Sequence, residues 1–306
     1  MTQARVALVT GASRGIGRGC ALALARAGFD VALCARTLKE GEGKTGSLSL
    51  PGSLETVAAE VTGLGRRALE VPMDLTRSDS IAQGVERTLA GLGRIDVLVS
   101  SAIYTGGNAM APFLETPMQD LRAAFECNVL GPLELVQRVA RAMIAQGGGL
   151  VIHISSGAGH NESAKLPGQG GWGLGYSLTK ASFNRMAAGL GKELRKHGIA
   201  VVNLEPGVVA TEKMLAVTSR QGINAAGGLP VDVAGTVCAF IAAHPTPMIF
   251  SGRTVDAPQF SGWARLTDAS AYPFPYGPSA WGLPSAIAIA GAATGVASEV
   301  PAPPTD

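Results

Sequence analysis

Six short runs of aliphatic and β-branched residues punctuate the chain, at 6–9, 31–34, 68–73, 97–99, 150–154 and 200–204. Each run is apolar throughout rather than alternating, the pattern of a strand covered on both faces. Helix-length stretches separate them, and strand alternating with helix predicts parallel βαβ units. The expected fold class is therefore α/β: a doubly wound parallel sheet of the Rossmann type with helices on both faces. No linker or internal repeat interrupts the alternation, which predicts one domain over 1–261. From 262 onward the chain turns to Ala, Gly, Ser and Pro and ends in PAPPTD, so 262–306 reads as a C-terminal extension, partly irregular.

Composition narrows the function classes. The 41 glycines and 18 prolines among 306 residues stay below the roughly 25–30% share of disordered or fibrous chains. With 25 basic and 23 acidic side chains the net charge is +2, so no broad field attracts nucleic acid or anionic lipid, and any anion must be met locally. Residues 269–298 carry no charge but are broken by Pro273, Pro275, Pro278 and Pro284, which argues against a membrane span. The N-terminus runs into strand pattern without the succession of a signal peptide. Cys20, Cys34, Cys127 and Cys238 lack the paired spacing of disulfides or zinc ligands, so the expectation is a reduced, cytoplasmic protein without a metal.

Thr10-Gly11-Ala12-Ser13-Arg14-Gly15-Ile16-Gly17 follows the first strand and opens a helical stretch over 18–27, with Gly28 as its terminator. Such glycines let the backbone turn tightly and approach a pyrophosphate held on free N–H groups at a helix N-terminus. About 20 residues further on, where an acid would accept from a ribose 2′-hydroxyl, stands Arg36. A guanidinium cannot accept that bond but can pair with a 2′-phosphate, and Arg14 adds a second cation. NADP(H) is therefore expected over NAD(H).

Tyr176 and Lys180, four residues apart in a helical stretch, face the same side. A phenol with pKa near ~10 is a poor acid or base at neutral pH. A neighbouring ammonium and a positive nicotinamide ring favour the phenolate and bring it toward a useful range. Ser155 and Ser156 end the strand 150–154, at the sheet edge where ligands bind in such folds.

Taken in order, Thr10 to Gly17, Asp74-Leu75, Asn128 between Cys127 and Val129, Ser156, Tyr176, Lys180 and the stretch 203–211 with Pro206-Gly207 resemble the short-chain dehydrogenase/reductase family, in its single-domain branch, over residues 5 to about 211. The resemblance implies a hydride-transferring oxidoreductase for a carbonyl or secondary alcohol. In it Tyr176 is general acid or base, and Ser156, with Ser155 as the alternative, bonds the reacting oxygen. Lys180 holds the nicotinamide ribose and biases Tyr176, and Asn128 helps hold a water relay to Lys180. For the cofactor it implies Gly11, Ser13, Arg14, Gly15, Ile16 and Gly17 at the pyrophosphate. Arg36 joins at the ribose, Asp74 and Leu75 at adenine, and Ala102, Pro206, Gly207, Val209 and Thr211 with Tyr176 and Lys180 toward the nicotinamide. It also implies a homodimer or homotetramer, paired through helices around 118–145 and 176–196. An NADP-binding regulator or scaffold without turnover is the alternative, and intact Tyr176 and Lys180 stand against it. An epimerase or dehydratase of the longer branch lacks its C-terminal substrate domain here.

The chain departs from the family at Ser100-Ser101-Ala102-Ile103, where Asn-Asn-Ala-Gly is usual, and in two insertions. One, 37–53, lies near the adenosine end. The other, 157–175, carries His160, Asn161, Glu162, Lys165 and Trp172; it is a candidate substrate wall, with His160 read as a solvated loop residue. Residues 212–228 fall where the family's substrate lid lies, and Met214, Leu215, Val217 and Ile223 give it an apolar face. Trp263, Tyr272, Phe274, Tyr276 and Trp281 gather aromatics near the C-terminus, to cover a neighbouring subunit or extend the cleft.

Overall fold

Each of the six apolar runs is a strand. In the computed structural model, which describes residues 3–45, 48–106, 110–221, 227–264 and 266, β1 (Val6–Thr10) leads into α1 (Gly15–Arg26), then β2 (Asp30–Ala35), α2 (Leu54–Gly63), β5 (Ala68–Pro72) and α3 (Ser78–Leu92). The second half holds β6 (Val97–Ser100), α4 (Met118–Phe125), α5 (Gly131–Ala145), β7 (Gly149–Ile154), α6 (Leu174–Leu194) and β8 (Ile199–Glu205). It closes with α7 (Glu212–Gln221), α8 (Val231–Ala243), β9 (Thr254–Asp256) and α9 (Ala257–Trp263). Inside the insertion 37–53 a short antiparallel hairpin forms from β3 (Lys44–Thr45) and β4 (Leu48–Ser49).

The main sheet is parallel in the order β5-β2-β1-β6-β7-β8-β9. This is the doubly wound arrangement expected. Strand residues alternate between two cores: Val9, Val31 and Ile152 pack with α1, α2 and α8, while Leu8, Ala32 and Val151 pack with α3, α5 and α6. The central strands are dry on both sides because nearly all of their side chains are apolar. Each such side chain stabilises the fold by roughly 1.5–3 kcal/mol.

Two strand features escaped the sequence pattern. β9 contributes only Val255 to the core and pairs along one edge with β8, too short and polar a run to register as a strand. The hairpin lies in a stretch of Gly, Ser and Lys without alternation. α9 runs through residue 261, where the domain was expected to end. Trp263 lies in α9, but its side chain, with Tyr272, Phe274, Tyr276 and Trp281, is outside the described residues, as are the side chains of Val217 and Ile223. Among the described residues no helix is long and apolar enough to cross a membrane.

Candidate active site

The order of strands reverses between β1 and β6, and a doubly wound sheet opens its ligand crevice at the carboxyl ends of such a pair. The glycine turn lies there. Gly11 takes φ +68°, and a Cβ on it would stand 2.9 Å from the backbone N and Cα of Ala102. At Gly17 a Cβ would run into the Gly11 carbonyl oxygen. Both positions therefore require the missing side chain. Thr10 ties this turn to the neighbouring one: its Oγ1 accepts the N–H groups of Ser101 (3.0 Å) and Ala102 (3.2 Å) and donates to the Val99 carbonyl (3.3 Å). Thr10 thus anchors the turn 100–103, where serines replace the family's amides.

The cradle also holds an anion belonging to the chain itself. Gly15 N–H donates to Glu212 Oε2 at 3.0 Å, placing a carboxylate at the start of α1. Ser13 is buried and Ile16 packs on the core beneath. Arg14 turns instead to the 37–53 insertion, its Nε donating to Pro51 O (2.8 Å) and its Nη2 to Gly52 O (2.6 Å). Arg36 is exposed just past β2. Lys213 of α7, which the sequence did not single out, lies within the fields of Arg36 and Arg14. Burial first, and those two charges after it, hold its ammonium below the usual lysine range. Asp74 Oδ1 accepts from the N–H and hydroxyl of Thr76 at 2.9 and 2.8 Å, capping its own turn, and Leu75 is buried.

Across the crevice, α6 presents Tyr176 and Lys180 one turn apart. Tyr176 Oη donates to Ser156 Oγ at 3.4 Å, whereas Ser155 Oγ is buried without a partner among the described residues. The strand's last turn thus directs Ser156, not Ser155, at the phenol. Lys180 Nζ donates to Ile154 O at 2.9 Å. Asn128 sits in a π-helical turn, Glu126–Leu130, between α4 and α5. Such turns often mark functional sites. Its Oδ1 accepts from Tyr104 N (2.7 Å), and its Nδ2 donates to Tyr104 O (2.9 Å) and toward Thr179 Oγ1 (3.4 Å), next to Lys180. Pro206 and Val209 are buried, Gly207 takes φ +72°, and Thr211 Oγ1 accepts from Met214 N at the start of α7.

Burial dominates the electrostatics. The Lys180 ammonium is pushed down to about 8 by burial, opposed by the charge of Glu205. Burial likewise raises the Tyr176 phenol; the Ser156 hydrogen bond lowers it and Glu205 raises it further. At this phenol desolvation thus outweighs the Ser156 hydrogen bond. Glu205 itself is raised to about 7 by burial and by Asp256, against the pull of Lys180. Buried His153 is lowered to about 3.

His160 is exposed in the turn that follows Ser156, and it also meets two neighbours. Its Nδ1 lies 3.1 Å from Asn184 Nδ2, and its Nε2 lies 3.7 Å from Glu205 Oε2. Glu205 carried a usable signal, an acid closing a mostly apolar strand just before Pro206-Gly207. Lys213 and Glu212 carried none, since only the return of α7 over the crevice brings them to the glycine turn.

The sequence profile of the short chain dehydrogenase family matches residues 5–222. The chain belongs to that family. Among curated short-chain dehydrogenase relatives, it is 33% identical over 255 residues to the 3-oxoacyl-[acyl-carrier-protein] reductase of Synechocystis sp., covering 82% of this chain and 94% of that protein. It is 31% identical over 225 residues to the cyclohexanol dehydrogenase of Rhodococcus sp., covering 71% and 79%. A crystal structure of 3-oxoacyl-[acyl-carrier protein] reductase from Brucella melitensis in complex with NAD superimposes with a TM-score of 0.69 at 27% identity, covering 84% of this chain and 96% of that one. This short-chain dehydrogenase is accordingly an NAD(P)(H)-dependent oxidoreductase acting on CH–OH or C=O groups of small molecules.

Proposed function

We propose that the chain is an NADP(H)-dependent carbonyl reductase or secondary-alcohol dehydrogenase with Tyr176 as its general acid and base. The observation that carries the reading is the 3.4 Å contact of Tyr176 Oη with Ser156 Oγ, with Lys180 one turn along the same helix. A bound dinucleotide fits the glycine turn, which lacks room for side chains at Gly11 and Gly17 and already presents an N–H to a carboxylate. When bound, it supplies or takes the hydride. Ser156 then orients the reacting oxygen and Tyr176 gives that oxygen a proton in reduction or takes one in oxidation. Lys180, carried on the same helix, supplies the positive charge that makes phenolate accessible. Asn128 fixes the turn at Tyr104 against α6, a positioning task.

The preference for NADP(H) rests on Arg36 and Lys213, joined by Arg14, whose mutual repulsion an added phosphate would relieve. An apolar carbonyl substrate suits the half-buried Met214 and the exposed Leu215 of α7, and the two relatives above are named for a 3-oxoacyl group and for cyclohexanol. We assign residues 1–261 to one catalytic domain followed by the extension, in a cytoplasmic protein whose cysteines are free. A homodimer or homotetramer is supported by exposed apolar residues on the helices expected to pair, Met118 (57%), Leu130 (52%) and Leu178 (43%).

The test is a panel of carbonyls and alcohols, including cyclohexanone and an acetoacetyl thioester, followed by absorbance of NADPH and NADH. Turnover that prefers NADPH and vanishes in Tyr176→Phe is expected. Preference for NADH overturns the cofactor assignment, and unchanged turnover in Tyr176→Phe overturns the catalytic one.

A further inference from the structure

Ser156 stands beyond the support of the sheet. The last ladder bond of β7 is made by Ser155, whose N–H donates to the Leu204 carbonyl at 2.9 Å, so Ser156 and the 3-10 turn Gly157–Gly159 lie past the strand end. That turn reads Gly-Ala-Gly, and glycine leaves a backbone loose unless something outside holds it. The Ser156 hydroxyl nevertheless has to be aimed closely, because a misplacement near ~1 Å is costly in a catalytic group.

The holding group is on α6. Asn184 follows Tyr176 and Lys180 at the same four-residue spacing, which keeps all three along one stripe of the helix. Lys180 Nζ donates to the Ile154 carbonyl, and Asn184 Nδ2 donates to the Ser156 carbonyl at 3.0 Å. A carbonyl only accepts, so the amide nitrogen of Asn184, not its oxygen, points there. The same nitrogen lies 3.1 Å from Nδ1 of the exposed His160. Asn184 is itself tied to the sheet, since its backbone carbonyl accepts from Nδ2 of buried Asn203 on β8 at 2.7 Å. The turn sits directly on this stripe: a Cβ on Gly159 would stand 2.5 Å from Asn184 Nδ2 and 2.6 Å from the Lys180 carbonyl.

These bonds set where the Ser156 hydroxyl points. The Ser156 carbonyl accepts from Gly159 N–H (3.1 Å) as well as from Asn184, which pins the peptide plane leaving Ser156 and with it the direction of its Cβ. Oγ then accepts from Ala158 N–H at 3.2 Å and from Tyr176 Oη at 3.4 Å. With both lone pairs engaged, the Ser156 hydrogen is left to donate to the reacting oxygen. Resting on the reading of Ser156 and Tyr176 given above, we propose that Asn184 is a positioning residue that aims Ser156 at that oxygen. One stripe of α6 thereby delivers the phenol, the ammonium and the amide that sets the phenol's partner.

The experiment separates aiming from packing. Asn184→Ala removes the donor, and Asn184→Asp keeps the shape but offers only oxygens to the Ser156 carbonyl. Each is expected to lower kcat about tenfold for the panel carbonyl that turns over fastest, with KM for NADPH within about twofold. Introduced into Ser156→Ala, where no hydroxyl is left to aim, the same changes are expected to cost less than about twofold. A second readout does not depend on turnover: NMR of protein carrying 13C at tyrosine Cζ, with Tyr176→Phe assigning the signal. Asn184 stands about 12 Å along the helix from Tyr176, so a shift of the Tyr176 signal in Asn184→Ala reports movement of Ser156. It is expected to follow the direction seen in Ser156→Ala. Unchanged kcat, or an equal loss with and without the Ser156 hydroxyl, overturns the proposal, and so does an unmoved Tyr176 signal. Should Asn184→Ala fail to fold, Asn184→Asp is read in its place by the same criteria. A moved Tyr176 signal with no carbonyl turned over overturns the functional reading while the positioning role stands.

Discussion

Gly15 N–H donates to the Glu212 carboxylate at 3.0 Å, so the anion cradle of α1 is held by a side chain of α7. A pyrophosphate entering the cradle must displace it, and α7 must yield as it does. Hydrogen bonds to charged groups contribute roughly 1.5–3 kcal/mol, and part of that is regained when Glu212 reaches water. Glu212→Gln is therefore expected to tighten NADPH binding about three- to tenfold, near 1 kcal/mol, in a fluorescence titration. An unchanged Kd would show that the carboxylate leaves without cost.

The two serines that close β7 separate cleanly in the structure. Ser156 Oγ meets the Tyr176 phenol, whereas Ser155 Oγ is buried away from it. Replacing Ser156 with Ala removes a hydrogen bond to the reacting oxygen and is expected to lower kcat by roughly 10²- to 10³-fold, with NADPH binding retained. Ser155→Ala is expected to stay within about threefold, since only an unpartnered hydroxyl is lost. Equal losses in steady-state kinetics would contradict this assignment.

What was legible in the sequence divides along physical lines. The six long strands and the glycine turn depend on local pattern: buried strands must be apolar, and Gly11 and Gly17 admit no Cβ. Tyr176 and Lys180 were equally readable because helical spacing alone puts them on one face. β9 was not, since three residues with one buried side chain carry no periodicity. The bonds of Arg14 to the carbonyls of Pro51 and Gly52 were not legible, because these partners are backbone atoms of any sequence. The contacts of exposed His160 were hidden for a related reason: they are made with Asn184 and Glu205, from another helix and another strand. That burial raises the Tyr176 phenol was not legible, because burial is a property of packing, not of motif.

The cofactor preference is expected to respond to Lys213 as well as Arg36. Arg36 stands just past β2, Lys213 of α7 lies within its field, and burial already disfavours charge on Lys213. A phosphate contact from either would contribute about 1–2 kcal/mol, so Arg36→Leu and Lys213→Leu should each raise KM for NADPH about five- to thirtyfold. KM for NADH should change little. The NADPH effect should also weaken at high ionic strength, because the pairs are partly exposed. A Lys213→Leu variant that weakens both cofactors equally would place this lysine at the pyrophosphate instead.

Glu205 makes the stability of the fold depend on pH in a direction that can be worked out. A glutamate in the unfolded chain titrates near ~4.3, while burial and Asp256 raise Glu205 to about 7 in the folded chain. Between these values the folded state binds a proton that the unfolded state does not, so this group's contribution falls as pH rises through the window and is flat above it. His153, held near about 3, works in the opposite sense, but it is common to both proteins and cancels in a comparison. Glu205→Gln cannot ionise. Its melting temperature relative to the parent chain is expected to be near equal at pH 5 and higher by several degrees at pH 8, for a difference of up to about 3 kcal/mol. Scanning calorimetry at pH 5, 6, 7 and 8 reads this directly, and a difference that does not grow with pH would mean that the carboxylate is already charged at pH 5.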